Sequence, residues 1–472
     1  MRSQFSVSLI TLALLGLSGC VAPMSKDKGF DPQQAVQRGS GGGAVVAQTI
    51  RLPSQLPPMK AFSQTRTSAP VRANSLIMGD FLDLSFELES GRTLPVLSRF
   101  ETPITVAVKG QAPQHMQADL EHLLGRLRRE AGINIKRGRA SASGLITIEM
   151  IPKRKLQKHV PHAACFVAPN VSGWGEYLRA RGTAQTDWTK LRQRTKMSVF
   201  LPSDVSPQEM RDCLHEEIAQ AIGPVNDLYR LENSVFNDDN FHTVLTGFDM
   251  LILRAYYAPE LQSGMSRAEV AQRLPAVLER INPAGGTGSP RITPGSPTAW
   301  KQAIVDALGR HKPKQSRQAA AQRAVSIARQ RGWQDTRLAF SLFAQGRLSM
   351  QTDSQAAFAA FREAEAIYLS RSGTELHAAH MGVQLSAYAL SAGHADQAVE
   401  TINRHLPAVK QAQNAALLAT LLMIKAEALE HMGRIDEAQR VRLDSLGWAR
   451  YGFGSNAQVG ARLQEIAAIA PG

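Results

Sequence analysis

A run of prolines and glycines from Pro283 to Pro297 divides this sequence into two parts that follow different rules of secondary structure. Upstream, apolar runs at strand spacing alternate with amphipathic stretches. Phe81 to Phe86 and Ile104 to Val108 read as strands, Met116 to Ala131 as a helix with leucines at 120, 123, 124 and 127, and Leu145 to Met150 and Met197 to Leu201 as further strands. Ser206 to Ile222 reads as an amphipathic helix, capped by Ser206-Pro207-Gln208-Glu209 and stopped by Gly223-Pro224. Downstream the chain is nearly all helical. The spacing therefore predicts an α+β domain over residues 76–282, a linker over 283–297 and an all-α domain over 298–472.

The first residues bear on where such a chain works. Met1-Arg2 is a short basic start, the apolar run from Phe5 to Leu17 is too short for a stable membrane span, and Leu17-Ser18-Gly19-Cys20 closes it. This pattern implies a lipoprotein signal peptide over residues 1–19, with Cys20 as the lipidated residue, because the diacylglyceryl group is attached to sulfur. Val21 follows the cysteine rather than the aspartate of inner-membrane retention, which points to the periplasmic face of the outer membrane. Residues 20–75 are rich in Gly, Ser, Pro and Gln and read as a flexible tether.

Export limits the partners. The formal charge of +14 becomes +13 without residues 1–19, whose only charged side chain is Arg2. Basic clusters such as Arg126 to Arg139 and Lys153-Arg154-Lys155 read as solvated surface or as contacts for anionic envelope polymers. No nucleic-acid partner is expected, since no binding signature is present. With Cys20 lipidated, Cys165 and Cys213 remain, and an oxidising compartment favours a disulfide between them.

The most informative stretch is Cys213-Leu214-His215-Glu216-Glu217-Ile218-Ala219-Gln220-Ala221-Ile222-Gly223-Pro224-Val225-Asn226-Asp227. An active zincin uses HExxH to place two imidazoles one turn apart, beside a glutamate that acts on the zinc-bound water. Metzincins add a glycine turn and a third ligand. Here Glu216 stands at the first ligand position, Glu217 at the general-base position, Gln220 at the second ligand position, Gly223 at the turn and Asn226 at the third. The spacing is kept and the imidazoles are absent. Ser234-Val235-Phe236 stands where metzincins carry the Met-turn, and Leu245 to Asp249 with Leu253 to Tyr257 resembles the closing helix of matrixin-type peptidases.

The same residues resemble, more closely, a proteobacterial family known as domain of unknown function 2927. The likeness lies in Glu-Glu-x-x-Gln-x-x-Gly-x-x-Asn-Asp, in Ser234-Val235-Phe236-Asn237-Asp238-Asp239 and in Tyr257-Ala258-Pro259, and it spans roughly residues 76–270. It implies a zincin-like fold without a known activity, with Gly223, Ser234, Phe236 and Asp249 in structural roles. If Glu216, Gln220 and Asn226 converge as ligands, with Asp227 beside them, their oxygens suit a hard divalent cation better than catalytic zinc. Alternatively Glu216 and Gln220 hydrogen-bond the helix to the sheet, and no cofactor is needed. A frame starting at His215 fails because Ala219 takes the second ligand position.

In the helical part, Gly346-Arg347-Leu348 with Ala357, Gly393 to Ala398 and Gly433 to Ala438 each pair a helix end with a small residue of the next helix. Ala398 and Ala438 are forty residues apart. This resembles tetratricopeptide pairs, at a period longer than the usual ~34 residues. Stacked pairs create a surface for a protein partner, while a plain bundle would only buttress the first domain. His377 and His380 share a helix face, and His159 and His162 flank a proline. Together these readings lead to an envelope protein, lipid-anchored, with a non-catalytic zincin-like domain and a helical platform. The alternative is an atypical metal-dependent peptidase or peptidoglycan peptide hydrolase with Glu217 as general base.

Overall fold

The computed structural model describes residues 56–62, 67, 69–70, 72–139, 144–161, 163–287, 294–309 and 312–470. The segment expected to be a signal peptide, Cys20, the expected tether as far as residue 55, and His162 lie outside the described residues. Two compact units are present: one spans residues 66–295, and the other spans 296–472 together with the described residues 56–62.

The first unit opens with a helix, α1 (Asn74–Phe86), where the sequence reading expected Phe81 to Phe86 to be a strand. The cause is burial on every side. Ile77, Phe81, Leu82, Leu84 and Phe86 are all in the core, so an apolar helix without a polar face shows no helical period and imitates a strand over six residues. Its two aspartates are paired: Asp80 accepts from Arg72 Nε at 2.7 Å and from Arg230 Nε at 2.8 Å, and Asp83 from Arg230 Nη2 at 2.7 Å and Arg267 Nη2 at 2.6 Å.

The other expected elements appear in place as β1 (Ile104–Lys109), α2 (Gln114–Glu130), β3 (Gly144–Ile151), β5 (Lys196–Pro202), α5 (Pro207–Ile222) and α6 (Gly247–Tyr256), and the unit adds β2 (Ile135–Arg137), α3 (Lys153–His159), β4 (Phe166–Pro169), α4 (Trp174–Ala180) and α7 (Arg267–Ile281), which the sequence reading did not name. The sheet order is β2-β1-β3-β5-β4. The first four strands run parallel, with Val106 opposite Ile146 and Ile148 opposite Val199, and β4 closes the edge antiparallel to β5.

Such parallel strands are covered on both faces and so read as continuous apolar runs. Val199 and Leu201 point into the main core, which α1, α2, α5, α6 and α7 complete, whereas Phe200 between them joins Phe166 and Trp174 in a smaller core on the other face. Leu120, Leu123, Leu124 and Leu127 of α2 are fully buried, each contributing about 1.5–3 kcal/mol of transfer free energy.

The second unit is all helical. Its elements are α8 (Thr298–Leu308), α9 (Lys314–Gln330), α10 (Thr336–Ser349), α11 (Ser354–Leu369), α12 (Glu375–Ser391), α13 (Ala395–Gln411), α14 (Ala415–His431), α15 (Ile435–Phe453) and α16 (Asn456–Ala467). Each packs on the next, and α14 also packs on α12 and α16. Gly393 and Gly433 end helices with φ of +82° and +75°, a conformation that favours glycine, and Ala398 and Ala438 are buried one turn into the helices that follow. Gly346 departs from expectation. It lies inside α10, where a Cβ would come within 2.8 Å of the Phe361 ring, so it admits a neighbouring helix and ends nothing. No helix among the described residues is long and apolar enough to cross a membrane.

Candidate functional site

The motif helix α5 is fixed at both ends. Ser206 Oγ accepts from Glu209 N at 3.1 Å, with Pro207 in the first helical position. At the far end the buried Arg194 guanidinium donates to the carbonyls of Gln220 and Gly223, each at 2.6 Å, and Tyr257 Oη donates to Ile222 O at 2.9 Å. A cation at the last carbonyls complements the helix dipole. Gly223 is required by close approach, since a Cβ there would lie 2.6 Å from Leu253 Cδ2. The middle of the helix is tied by a disulfide, Cys165–Cys213, to the residue preceding β4.

His215 is a structural acceptor. Its Nδ1 receives Leu245 N at 3.3 Å, and burial, with Arg126 and Arg211 nearby, holds the imidazole neutral by pushing its pKa well below the usual value. The two glutamates that follow differ. Glu216 is half-buried, while Glu217 has 0% exposure and neither of its carboxylate oxygens has a hydrogen-bond partner. One oxygen of each, and the bridged Sγ of Cys165, lie within 4.8 Å of one another. Being half of a disulfide, that sulfur is no thiolate ligand.

Three more carboxylates converge on this pair from elsewhere in the unit. Glu89 sits on the turn between α1 and β1 that is closed by the Glu87–Thr93 bridge. Asp227 follows α5, and Asp238 lies on the loop before α6. Burial, then Asp227 and Asp238, hold the Glu89 carboxyl well above the usual carboxylate range, and Glu89 shares a hydrogen bond with Asp227. Burial, then Asp227, Asp238 and Asp212, raise Glu216 well above its range, and burial, then Glu216 and Asp227, do the same to Glu217. Tyr229, raised by burial and by Asp238, hydrogen-bonds Asp238. Among the described residues no Lys or Arg forms an ion pair with Glu89, Glu216 or Glu217.

The remaining motif residues shape the surroundings. Asn226 does not face the carboxylates as a free donor: its Nδ2 donates to Asp83 O at 2.9 Å and its Oδ1 accepts from Asp227 N at 3.0 Å, which fixes the start of the loop to α1. Gln220 is buried with an Nε2 that has no partner. Ser234 and Asp249 lock the loop: Asp249 accepts from Ser234 Oγ, from Val235 N at 3.1 Å and from Thr246 N at 2.7 Å, and it completes a capping box with Thr246. Phe236, fully buried, anchors the loop in the core. Asp239 accepts from Asn237 Nδ2 at 2.6 Å and from Phe241 N at 3.1 Å, leaving the half-buried Asp238 to face the cluster.

Glu89 and Asp238 are thus the site residues that the sequence reading did not select. Asp238 was quoted within the loop motif, but nothing in the local pattern marks Glu89. In the helical unit, His377 and His380 are both buried, and burial, with His377 and Arg347, pushes His380 down to about 3.

Five carboxyl groups in one partly enclosed place cannot all ionise without a counter-charge. The arrangement can either retain protons or surround a cation with hard oxygen donors. Residues 74–276, a span that includes all five, match the family model described as Protein of unknown function (DUF2927). No curated protein matches the chain.

Proposed function

We propose a function for a chain whose residues 74–276 belong to the DUF2927 family: an exported, lipid-anchored envelope protein whose family domain, zincin-like in its motif helix, holds a hard divalent cation and whose tetratricopeptide-like helical unit receives a protein partner. Export is supported by the Leu17-Ser18-Gly19-Cys20 pattern and by the Cys165–Cys213 disulfide, which an oxidising compartment favours.

The observation that carries the cation reading is Glu217. A fully enclosed carboxyl with two unpartnered oxygens, facing a second carboxylate, is a costly feature unless something positive or a proton occupies the space. Glu89, Glu216, Glu217 and Asp227 would hold the ion, with Asp238 at the rim. Their oxygen-only chemistry favours calcium or magnesium over zinc, and their origin on three chain segments means that the ion would cross-link them. Calorimetric titration of the metal-stripped chain with calcium, magnesium and zinc in turn tests this. Stoichiometric calcium or magnesium binding that is lost in Glu216→Ala supports the reading, and absence of binding by all three ends it.

A second reading is favoured by the upward pull on both glutamates. A protonated carboxyl beside an ionised one is the pairing that general acid and base catalysis of hydrolysis uses. In that case Glu217→Gln abolishes a measurable peptide hydrolysis while the fold survives.

A further inference from the structure

The segment expected to be pure tether contains a docked stretch. Leu56-Pro57-Pro58-Met59-Lys60-Ala61-Phe62 runs without helix or strand along α15 of the helical unit, and four interactions of different kinds hold it. The Phe62 ring stacks on Trp448 with centroids 4.5 Å apart and planes at 27°. Lys60 forms an ion pair with Asp444, and its backbone N donates to Gly447 O at 3.0 Å. Arg450 Nη1 donates to the Pro57 carbonyl at 2.8 Å.

The floor is shaped to fit. A Cβ at Gly447 would stand 3.0 Å from Lys60 Cγ and 3.3 Å from the Pro58 oxygen, so the segment lies close on the glycine and a larger side chain there would push it outward. Leu56 and Phe62 pack against the core of the helical unit, while Pro58, Met59, Lys60 and Ala61 remain exposed.

We propose that this groove on α15 is a recognition site for an extended, proline-containing peptide that carries a lysine and, two residues later, an aromatic ring, and that residues 56–62 occupy it in cis. Backbone hydrogen bonds from the groove, one aromatic stack and one charge pair are the elements by which grooves read extended proline-rich ligands, whose preset backbone has little entropy to lose. The ion pair is exposed and weak, so occupancy rests on the linkage to the same chain, which raises the local concentration of the segment into the millimolar range. A partner of the same chemistry competes with it.

The test uses the full chain and a fluorescein-labelled peptide copying residues 54–64. The variant Lys60→Glu with Phe62→Ala, which vacates the groove, is expected to bind the peptide at least ~10-fold more tightly than the intact chain. Adding Gly447→Leu is expected to abolish that gain. Equal binding to both chains, no binding to a vacated variant that keeps its circular dichroism, or a gain untouched by Gly447→Leu would overturn the proposal. A second measurement needs no variant: excess unlabelled peptide is expected to speed hydrogen exchange at the Lys60 amide of the intact chain, and an unchanged rate also overturns it.

Discussion

Two buried glutamates, one in each unit, show how the two halves of the molecule treat charge. Glu427 of the helical unit accepts from Arg442 Nη2 at 2.9 Å, and that guanidinium also reaches Glu430. Burial raises its pKa, and Arg442 opposes the rise. Glu217 of the α/β unit is buried more completely, and the charges that act on it are further carboxylates. The α/β unit is not careless with charge elsewhere, since Asp80, Arg194 and Arg230 are all fully engaged. A carboxylate answered by a guanidinium holds structure together, whereas one left unanswered in a unit that pairs its other charges marks the place where chemistry or a ligand belongs.

The largest test of this contrast sets one helix cap against another. Asp249→Ala removes the acceptor that serves Ser234, Val235 and Thr246 in the buried loop, and is expected to cost on the order of 3 kcal/mol or more. Asn414→Ala in the helical unit removes a cap that accepts from Leu417 N at 3.0 Å, and is expected to cost about 1 kcal/mol. Urea denaturation followed separately by probes in each unit reads both values; equal costs would mean that the loop is no more tightly held than an ordinary helix end.

A change of one atom in each glutamate sharpens the comparison through its sign. Glu217→Gln is expected to stabilise the metal-free chain by roughly 1 kcal/mol, because it removes an unpaired acid from an acidic site. Glu427→Gln is expected to destabilise by about 1 kcal/mol, because it weakens a pair with Arg442. If both lose stability, Glu217 has a partner of its own and the site reading fails.

The pH dependence is the most gradual effect. The folded pKa values of Glu89, Glu216 and Glu217 lie above the ordinary 4.5, so the folded α/β unit retains protons that the unfolded chain releases. Its metal-free stability is therefore expected to fall as pH rises above about 4.5, and saturating calcium or magnesium is expected to reverse that slope. His380 works in the opposite sense in the helical unit. Its folded value of about 3 lies below the ordinary 6.5, so stability is lost as pH falls from 6.5 towards 3, and His215 adds the same acid-side loss to the α/β unit. Thermal melts between pH 4 and pH 8, with and without cation, of the intact chain and of a Glu217→Gln variant, measure both slopes; a metal-free α/β transition whose pH slope is unchanged by Glu217→Gln would contradict the unpaired acids, His215 being common to both chains.

Much of the fold is legible in the chain. The helix Pro207–Ile222 is announced by its serine cap, its proline and the Gly223-Pro224 stop, and β1, β3 and β5 by their mainly apolar runs, because each of these signals acts over a few residues. Phe81 to Phe86 misleads because the helix is buried all round and has no polar face to give it a period. The disulfide was legible from the expectation of export, since of the three cysteines only Cys165 and Cys213 are left to pair if Cys20 carries a lipid. Gly346 misleads as well, because a glycine that admits a neighbouring ring looks in sequence like one that ends a helix.

By itself the sequence determined the longer strands and helices of the first unit apart from α1, the placing of Glu216 and Glu217 on one helix, and the division between a strand-containing and an all-helical part, since hydrophobic period, caps and breakers are local. Only the tertiary structure decided that Glu89, more than a hundred positions earlier, and Asp238 would face that pair, that Asn226 would be spent on Asp83, and that residues 56–62 would lie on α15. These are meetings between turns, loops and a proline-rich strap. Such segments carry no period, so only the packing of the elements between them brings their side chains together.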